Sequence, residues 1–125
     1  MKALLEVQSL SVDIPLAAGT LHAVRDVSFT VHRGETVCLV GESGCGKSLS
    51  ALAIMDLLPS GASRRAETLR FGDTELMRIG SRQMADIRGN RMAMIFQEPM
   101  TSLNPCYTIG NQLVEALRRH RKVAV

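Results

Sequence analysis

Apolar and polar residues alternate through residues 4–14 closely enough to predict a β-strand, and residues 21–31 resume the pattern with Val24, Val27, Phe29 and Val31. Residues 15–20, with Pro15 and Gly19, carry turn composition, so the two segments predict an antiparallel β layer. Arg33-Gly34-Glu35 predicts a second turn, into residues 36–40. That stretch, Thr36-Val37-Cys38-Leu39-Val40, is β-branched and apolar, as a strand buried on both faces is. After a glycine-rich loop, residues 48–58 are apolar on nearly every side through Leu49, Leu52, Ala53, Ile54, Met55 and Leu57. They predict a buried helix, closed by Pro59 and Gly61. Further along, residues 67–71 predict a strand, 81–87 a short helix and 92–96 a second buried strand. Pro99 and Pro105 bracket a loop, and residues 108–122 predict a helix with Ile109, Leu113 and Leu117 on one face. No internal repeat or low-complexity linker interrupts the chain. The order of elements predicts an α/β core with an antiparallel β flank.

A length of 125 residues suits one domain, and 46% hydrophobic with 22% charged residues favours a packed core over disorder. No apolar run approaches the ~18–20 residues that span a bilayer, and Glu6, Gln8 and Asp13 interrupt any signal-peptide core. The expectation is a cytosolic chain that reaches a membrane only through a partner. Cys38, Cys45 and Cys106 are odd in number and form no CxxC pair, which argues against a disulfide framework and a zinc site and for reduced thiols. The net charge of +3 lies largely in Arg118-Arg119-His120-Arg121-Lys122. Basic residues there complement the negative end of a helix. Without interleaved aromatic residues for base stacking, they favour a solvated helix end over a nucleic-acid partner.

Gly41-Glu42-Ser43-Gly44-Cys45-Gly46-Lys47-Ser48 fits the phosphate-loop pattern GxxxxGK[ST]. Glycines permit the positive φ angles that turn successive backbone N–H groups toward phosphate oxygens. The helix that follows aims its positive end at the same anion. Lys47 reaches the β- and γ-phosphates as a mobile charge, and Ser48 offers a hydroxyl to Mg²⁺. A predicted strand before the loop and an apolar helix after it supply the context that separates this motif from a chance glycine turn. Cys45, close to Lys47 and the helix start, is either a reactive thiolate that ATP protects or an inert small residue beside glycine. Asp56 ends an apolar run resembling a second magnesium motif, but it sits on the helix after the loop and reads as a surface charge near the helix end.

The later residues distinguish among phosphate-loop families. Met92-Ala93-Met94-Ile95-Phe96-Gln97-Glu98-Pro99-Met100-Thr101-Ser102-Leu103-Asn104-Pro105 closely resembles the Q-loop segment of ABC transporter ATPases, in particular the oligopeptide and dipeptide importer group with its nickel and glutathione members. Arg88-Gly89, Tyr107-Thr108-Ile109-Gly110, the loop itself and Val24-Arg25-Asp26-Val27-Ser28-Phe29 resemble the same proteins. The resemblance implies an α/β phosphate-loop ATPase core. In it, residues 1–35 form an antiparallel flank, 36–97 the core segment, and 98–125 the Q-loop and the start of a helical subdomain. It implies ATP and Mg²⁺ as cofactors, with Gln97 touching the metal and the attacking water. It also implies a permease partner met by residues 98–105, Glu98 and Pro105 included, and a second ATPase subunit. The expected place is the cytoplasmic face of the membrane.

Two departures stand out. Such ATPases stack adenine on an aromatic residue where this chain has Ile14, and Phe29, the nearest aromatic residue, points by alternation toward the core. No signature loop of Leu-Ser-Gly-Gly-Gln type, no second magnesium strand and no switch histidine follows Gln97. The expectation is the N-terminal part of an importer ATPase, inactive in hydrolysis alone. The alternative is a non-catalytic truncated gene product that at most binds nucleotide. A phosphate-loop kinase would need an acceptor-binding lid, which nothing in the pattern suggests.

Overall fold

The computed structural model describes residues 2–40, 47–95 and 103–121 and divides the chain into two units, Met1–Gly80 and Ser81–Val125. In the first unit β1 (Leu5–Leu16) and β2 (Gly19–Val31) form the antiparallel hairpin that the alternation predicts. Leu16 pairs with Gly19 across the two-residue turn, and Gly19 takes a φ of 142° that suits glycine. Two short strands join β1: β3 (Ser63–Arg65) lies against Ser11 to Asp13, and β4 (Thr68–Phe71) against Leu5 to Gln8. A two-residue β5 (Thr74–Glu75) completes an antiparallel sheet of five strands, ordered β2-β1-β4-β5 with β3 also on β1.

The hairpin does not keep strict alternation. Ser9 (φ 54°) and Asp26 (φ 50°) are left-handed, and the register shifts beside them. Each extra backbone N–H is satisfied across the hairpin: Ser9 donates to Ser28 Oγ at 2.9 Å and Asp26 to Ser11 Oγ at 3.1 Å. The bulge at Ser9 resets the facing side, so Val7, Leu10 and Val12 are all fully buried although an odd interval separates the first two. With Val24, Leu69, Phe71 and Leu76 they form the core of this unit.

Helix α1 (Lys47–Ile54) lies against β1 and β2 and buries Ser50, Ala53 and Ile54. It stops before Pro59 because Asp56 adopts the left-handed conformation (φ 56°). Asp56 N–H then bonds Ala53 O at 3.2 Å and Leu57 N–H bonds Leu52 O at 2.8 Å, the two bonds of a Schellman ending.

Two expected strands do not form. Residues 36–40 are exposed and unpaired in any sheet, with Val40 90% exposed. Of residues 92–96, Met92 makes only an isolated bridge to Arg88, Ile95 is 97% exposed, and Phe96 lies outside the described residues. A strand buried on both faces requires neighbours on both edges and cover on both faces. Among the described residues no strand pairs with either segment.

Asp13 ties three strands together. His22 Nδ1 stands 2.7 Å from its Oδ1, and Arg65 Nη2 donates to Oδ2 at 3.0 Å. The bond with His22, reinforced by the charge of Arg65, holds the carboxyl below the ordinary carboxylate range against an opposing pull from desolvation. A folded value below the unfolded one means that the stabilisation is present above the unfolded value, about 3.9. It is lost as pH falls through the folded value. Asp13→Asn is therefore expected to lower the melting temperature at neutral pH, with the gap to the unaltered chain closing in acid. A gap independent of pH in parallel melts would contradict this account.

In the second unit α2 (Ser81–Ile87) matches the predicted helix and buries Met84 and Ile87. Helix α3 (Ile109–His120) starts at Thr108, whose Oγ1 accepts from Asn111 N–H at 3.1 Å. Its apolar face, Ile109, Leu113 and Leu117, is exposed. Arg118, Arg119 and His120 fill the last turn, and Arg119 pairs with Asp86 of α2 at 2.7 Å. These three basic residues lie at the negative end of the helix dipole. Thr108→Ala is expected to cost α3 about 1 kcal/mol, seen as faster hydrogen exchange at the first amides of α3 with no change at β4.

Candidate functional site

Lys47 and Ser48 open α1. Lys47 is half-buried and Ser48 is exposed. The first turn of α1 contains no acidic residue, so no carboxylate of the helix itself offsets the positive end of its dipole. An ammonium, a hydroxyl and a helix N-terminus thereby share one end of one element, which is what an anionic phosphate with its metal ion requires.

The opposite end of α1 is gripped by a residue that the sequence pattern does not single out. Arg64 of β3 donates from Nη1 to Ala53 O at 2.5 Å and from Nη2 to Leu76 O at 3.2 Å, with Nε 3.7 Å from Asp56 Oδ1. Burial pushes its pKa down, and Asp56 partly opposes that shift. Asp56 itself is half exposed at the helix end, as the sequence predicts.

The other expected site residues divide by location. Gly41, Glu42, Ser43, Gly44, Cys45 and Gly46 lie outside the described residues, as do Gln97 and residues 98–102. Leu103, Asn104 and Pro105 are described and exposed. Their loop is well built: Asn104 Oδ1 accepts from Cys106 N–H at 2.9 Å, and the Gln112 side chain clamps the segment. Gln112 Oε1 accepts from Asn104 N–H at 2.8 Å, while Nε2 donates to Asn104 O at 2.9 Å and Tyr107 O at 3.1 Å. Ile14 is half-buried and pairs with exposed Leu21, so its immediate cross-strand neighbour is aliphatic too. Phe29 is half-buried, on the same side of β2 as Val27 and Val31. Cys38 and Cys106 are free and exposed thiols.

The family model described as ABC transporter matches residues 24–124. The chain belongs to the ABC transporter family. Its α/β phosphate-loop class and its resemblance to peptide-importer ATPases agree with the relatives. The dipeptide transport ATP-binding protein DppD of Bacillus subtilis is 46% identical over 125 residues, which cover 99% of this chain and 37% of that protein. The protein of the same name in Escherichia coli is 47% identical over 119 residues, 95% of this chain and 36% of that one. The oligopeptide transport ATP-binding protein OppD of Bacillus subtilis is 42% identical over 123 residues, 97% of this chain and 34% of that one. The chain thus spans little more than a third of the length of these ABC relatives.

Proposed function

We propose that this chain is the ATP-binding front of an importer ATPase for peptides or similar small solutes. The observation that carries the reading is the start of α1, where Lys47 and Ser48 follow the glycine-rich residues 41–46 in a first turn that contains no acidic residue. The relatives named as dipeptide and oligopeptide transport ATP-binding proteins support it.

In this reading residues 41–46 wrap the phosphates with backbone N–H groups, and Lys47 holds the β- and γ-oxygens. Ser48 and Gln97 would each offer one oxygen to Mg²⁺, an ion that otherwise takes ligands from phosphate and water. When bound, the metal supplies charge neutralisation of the phosphates. Gln97 orients water near the γ-phosphate, because an amide can accept and donate without carrying charge. Residues 98–105 meet a transmembrane permease, and a second ATPase subunit faces the site. That assembly places the chain at the cytoplasmic face of a membrane; among the described residues no helix is long and apolar enough to cross one.

Exposure of Val40 and Ile95 favours a second reading for the chain taken alone, a nucleotide binder without turnover. Both readings require ATP binding. Saturating Mg-ATP, at about a hundred times its dissociation constant, is expected to stabilise the full chain by about 2.7 kcal/mol, read as a rise in melting temperature. An unchanged melting temperature at millimolar Mg-ATP would reject both.

A further inference from the structure

We propose that Arg64 is a positioning residue for the phosphate-facing end of α1. Its guanidinium locks the far end of that helix to the sheet and so sets where Lys47 and Ser48 stand. The inference rests on the ATP-binding reading above.

Helix α1 has only eight residues. A helix this short is not stable by itself, so its direction comes from whatever grips it. The grip is uneven. Ala53, Ile54 and Met55 at the C-terminal end are buried, whereas in the first turn only Ser50 is, and Ser48 is exposed. The more deeply buried anchorage is therefore at the end remote from Lys47 and Ser48, and it fixes the line along which the N-terminal end lies. At about 1.5 Å per residue the helix is a lever of some 12 Å, and a tilt at one end displaces the other.

Arg64 is built for that grip. It occupies the centre of a three-residue strand, opposite fully buried Val12 of β1, and its side chain is only 12% exposed. All three guanidinium nitrogens face acceptors: Ala53 O of α1, Leu76 O beyond β5, and the Asp56 carboxylate. Ala53 O is also the acceptor of the Asp56 N–H in the Schellman ending, so the guanidinium completes the seal of the helix end. Its positive charge lies at the negative pole of the helix dipole. A lysine cannot reproduce a planar fork serving two carbonyls.

The test compares the full chain with Arg64→Met, Arg64→Lys and Asp56→Asn. Mg-ATP affinity is measured calorimetrically at a temperature where circular dichroism shows each variant fully folded. Arg64→Met is expected to weaken binding at least about tenfold, since displacement of a binding group by an ångström is felt this strongly. Arg64→Lys should recover only part of the loss, and Asp56→Asn, which keeps the left-handed cap, should stay within about threefold of the unaltered chain. Variants that melt earlier yet bind Mg-ATP with unaltered affinity would overturn the proposal and leave Arg64 a stability residue only. If Arg64→Met does not fold, Arg64→Lys decides by the same criterion. Hydrogen exchange without nucleotide reads the lever directly. The amides of Ala51 and Leu52, which close the first turn of α1, should exchange at least about tenfold faster in the Arg64 variants, relative to β4 amides. No binding by the unaltered chain would defeat the ATP reading, while the exchange comparison would still decide what Arg64 does to α1.

Discussion

Lys47→Ala is expected to weaken Mg-ATP binding by two to three orders of magnitude, with a much smaller effect on the stability of the nucleotide-free chain. Each charge-assisted hydrogen bond from an ammonium to a phosphate oxygen is worth about 1.5–3 kcal/mol. The contacts to the β- and γ-phosphates share one ammonium and do not add in full, so losing both removes about 3–4 kcal/mol, or a factor of several hundred. The unliganded protein should not suffer comparably. Lys47 is the first residue of α1, and a cation at the positive end of a helix dipole is unfavourable. Alanine there relieves that repulsion and raises helix propensity. The substitution should separate binding from stability, with the Mg-ATP-induced rise in melting temperature abolished and the apo melting temperature changed far less than a loss of the core would change it. A large loss of apo stability would mean that Lys47 serves the fold instead.

Leu69→Ala should have the largest effect on stability. Leu69 is fully buried in β4, directly opposite fully buried Val7, and its carbonyl accepts the Leu76 N–H at 2.8 Å. Truncation of such a leucine costs about 2–5 kcal/mol, the spread reflecting how far the site collapses. That is a large share of the roughly 5–15 kcal/mol that holds a domain together. Urea unfolding should show a lower midpoint with an unchanged slope. An unmoved midpoint would show that β4 does not close the core of the first unit.

The elements that were legible in the sequence are those whose partners lie close along the chain. The β1–β2 hairpin, α2 and α3 are local: alternation, a short amphipathic run and an apolar face at helical spacing suffice. Residues 36–40 and 92–95 read as strands because their side chains suit a buried sheet, but composition reports only that suitability. A strand also needs hydrogen-bonded neighbours, and none is present among the described residues. The reverse error hides β3 and β5. Ser63-Arg64-Arg65 and Thr74-Glu75 are polar and too short for a period, and they pair because β1 and β4 offer them an edge. The end of α1 was misplaced for a related reason. Pro59 is the conspicuous breaker, but a left-handed aspartate, Asp56, ends the helix earlier.

For the site, spacing did the most. The pattern GxxxxGK[ST] predicts a helix start at its lysine, and α1 begins at Lys47. Arg64 was not legible, since a buried arginine in a polar triplet looks like any surface turn until the carbonyls it meets are in view. Gln112 escaped in the same way: its partners lie in a loop whose shape follows from the very bonds it makes. Residues whose role is to hold others in place carry no spacing signature of their own.

The central claim, that the start of α1 is a phosphate site, is tested most directly by calorimetric titration of the full chain with Mg-ATP beside Lys47→Ala. The account predicts saturable binding at one site by the unaltered chain and binding several-hundred-fold weaker, or too weak to measure, in the variant. Absence of binding by the unaltered chain, or equal affinity in Lys47→Ala, would contradict it.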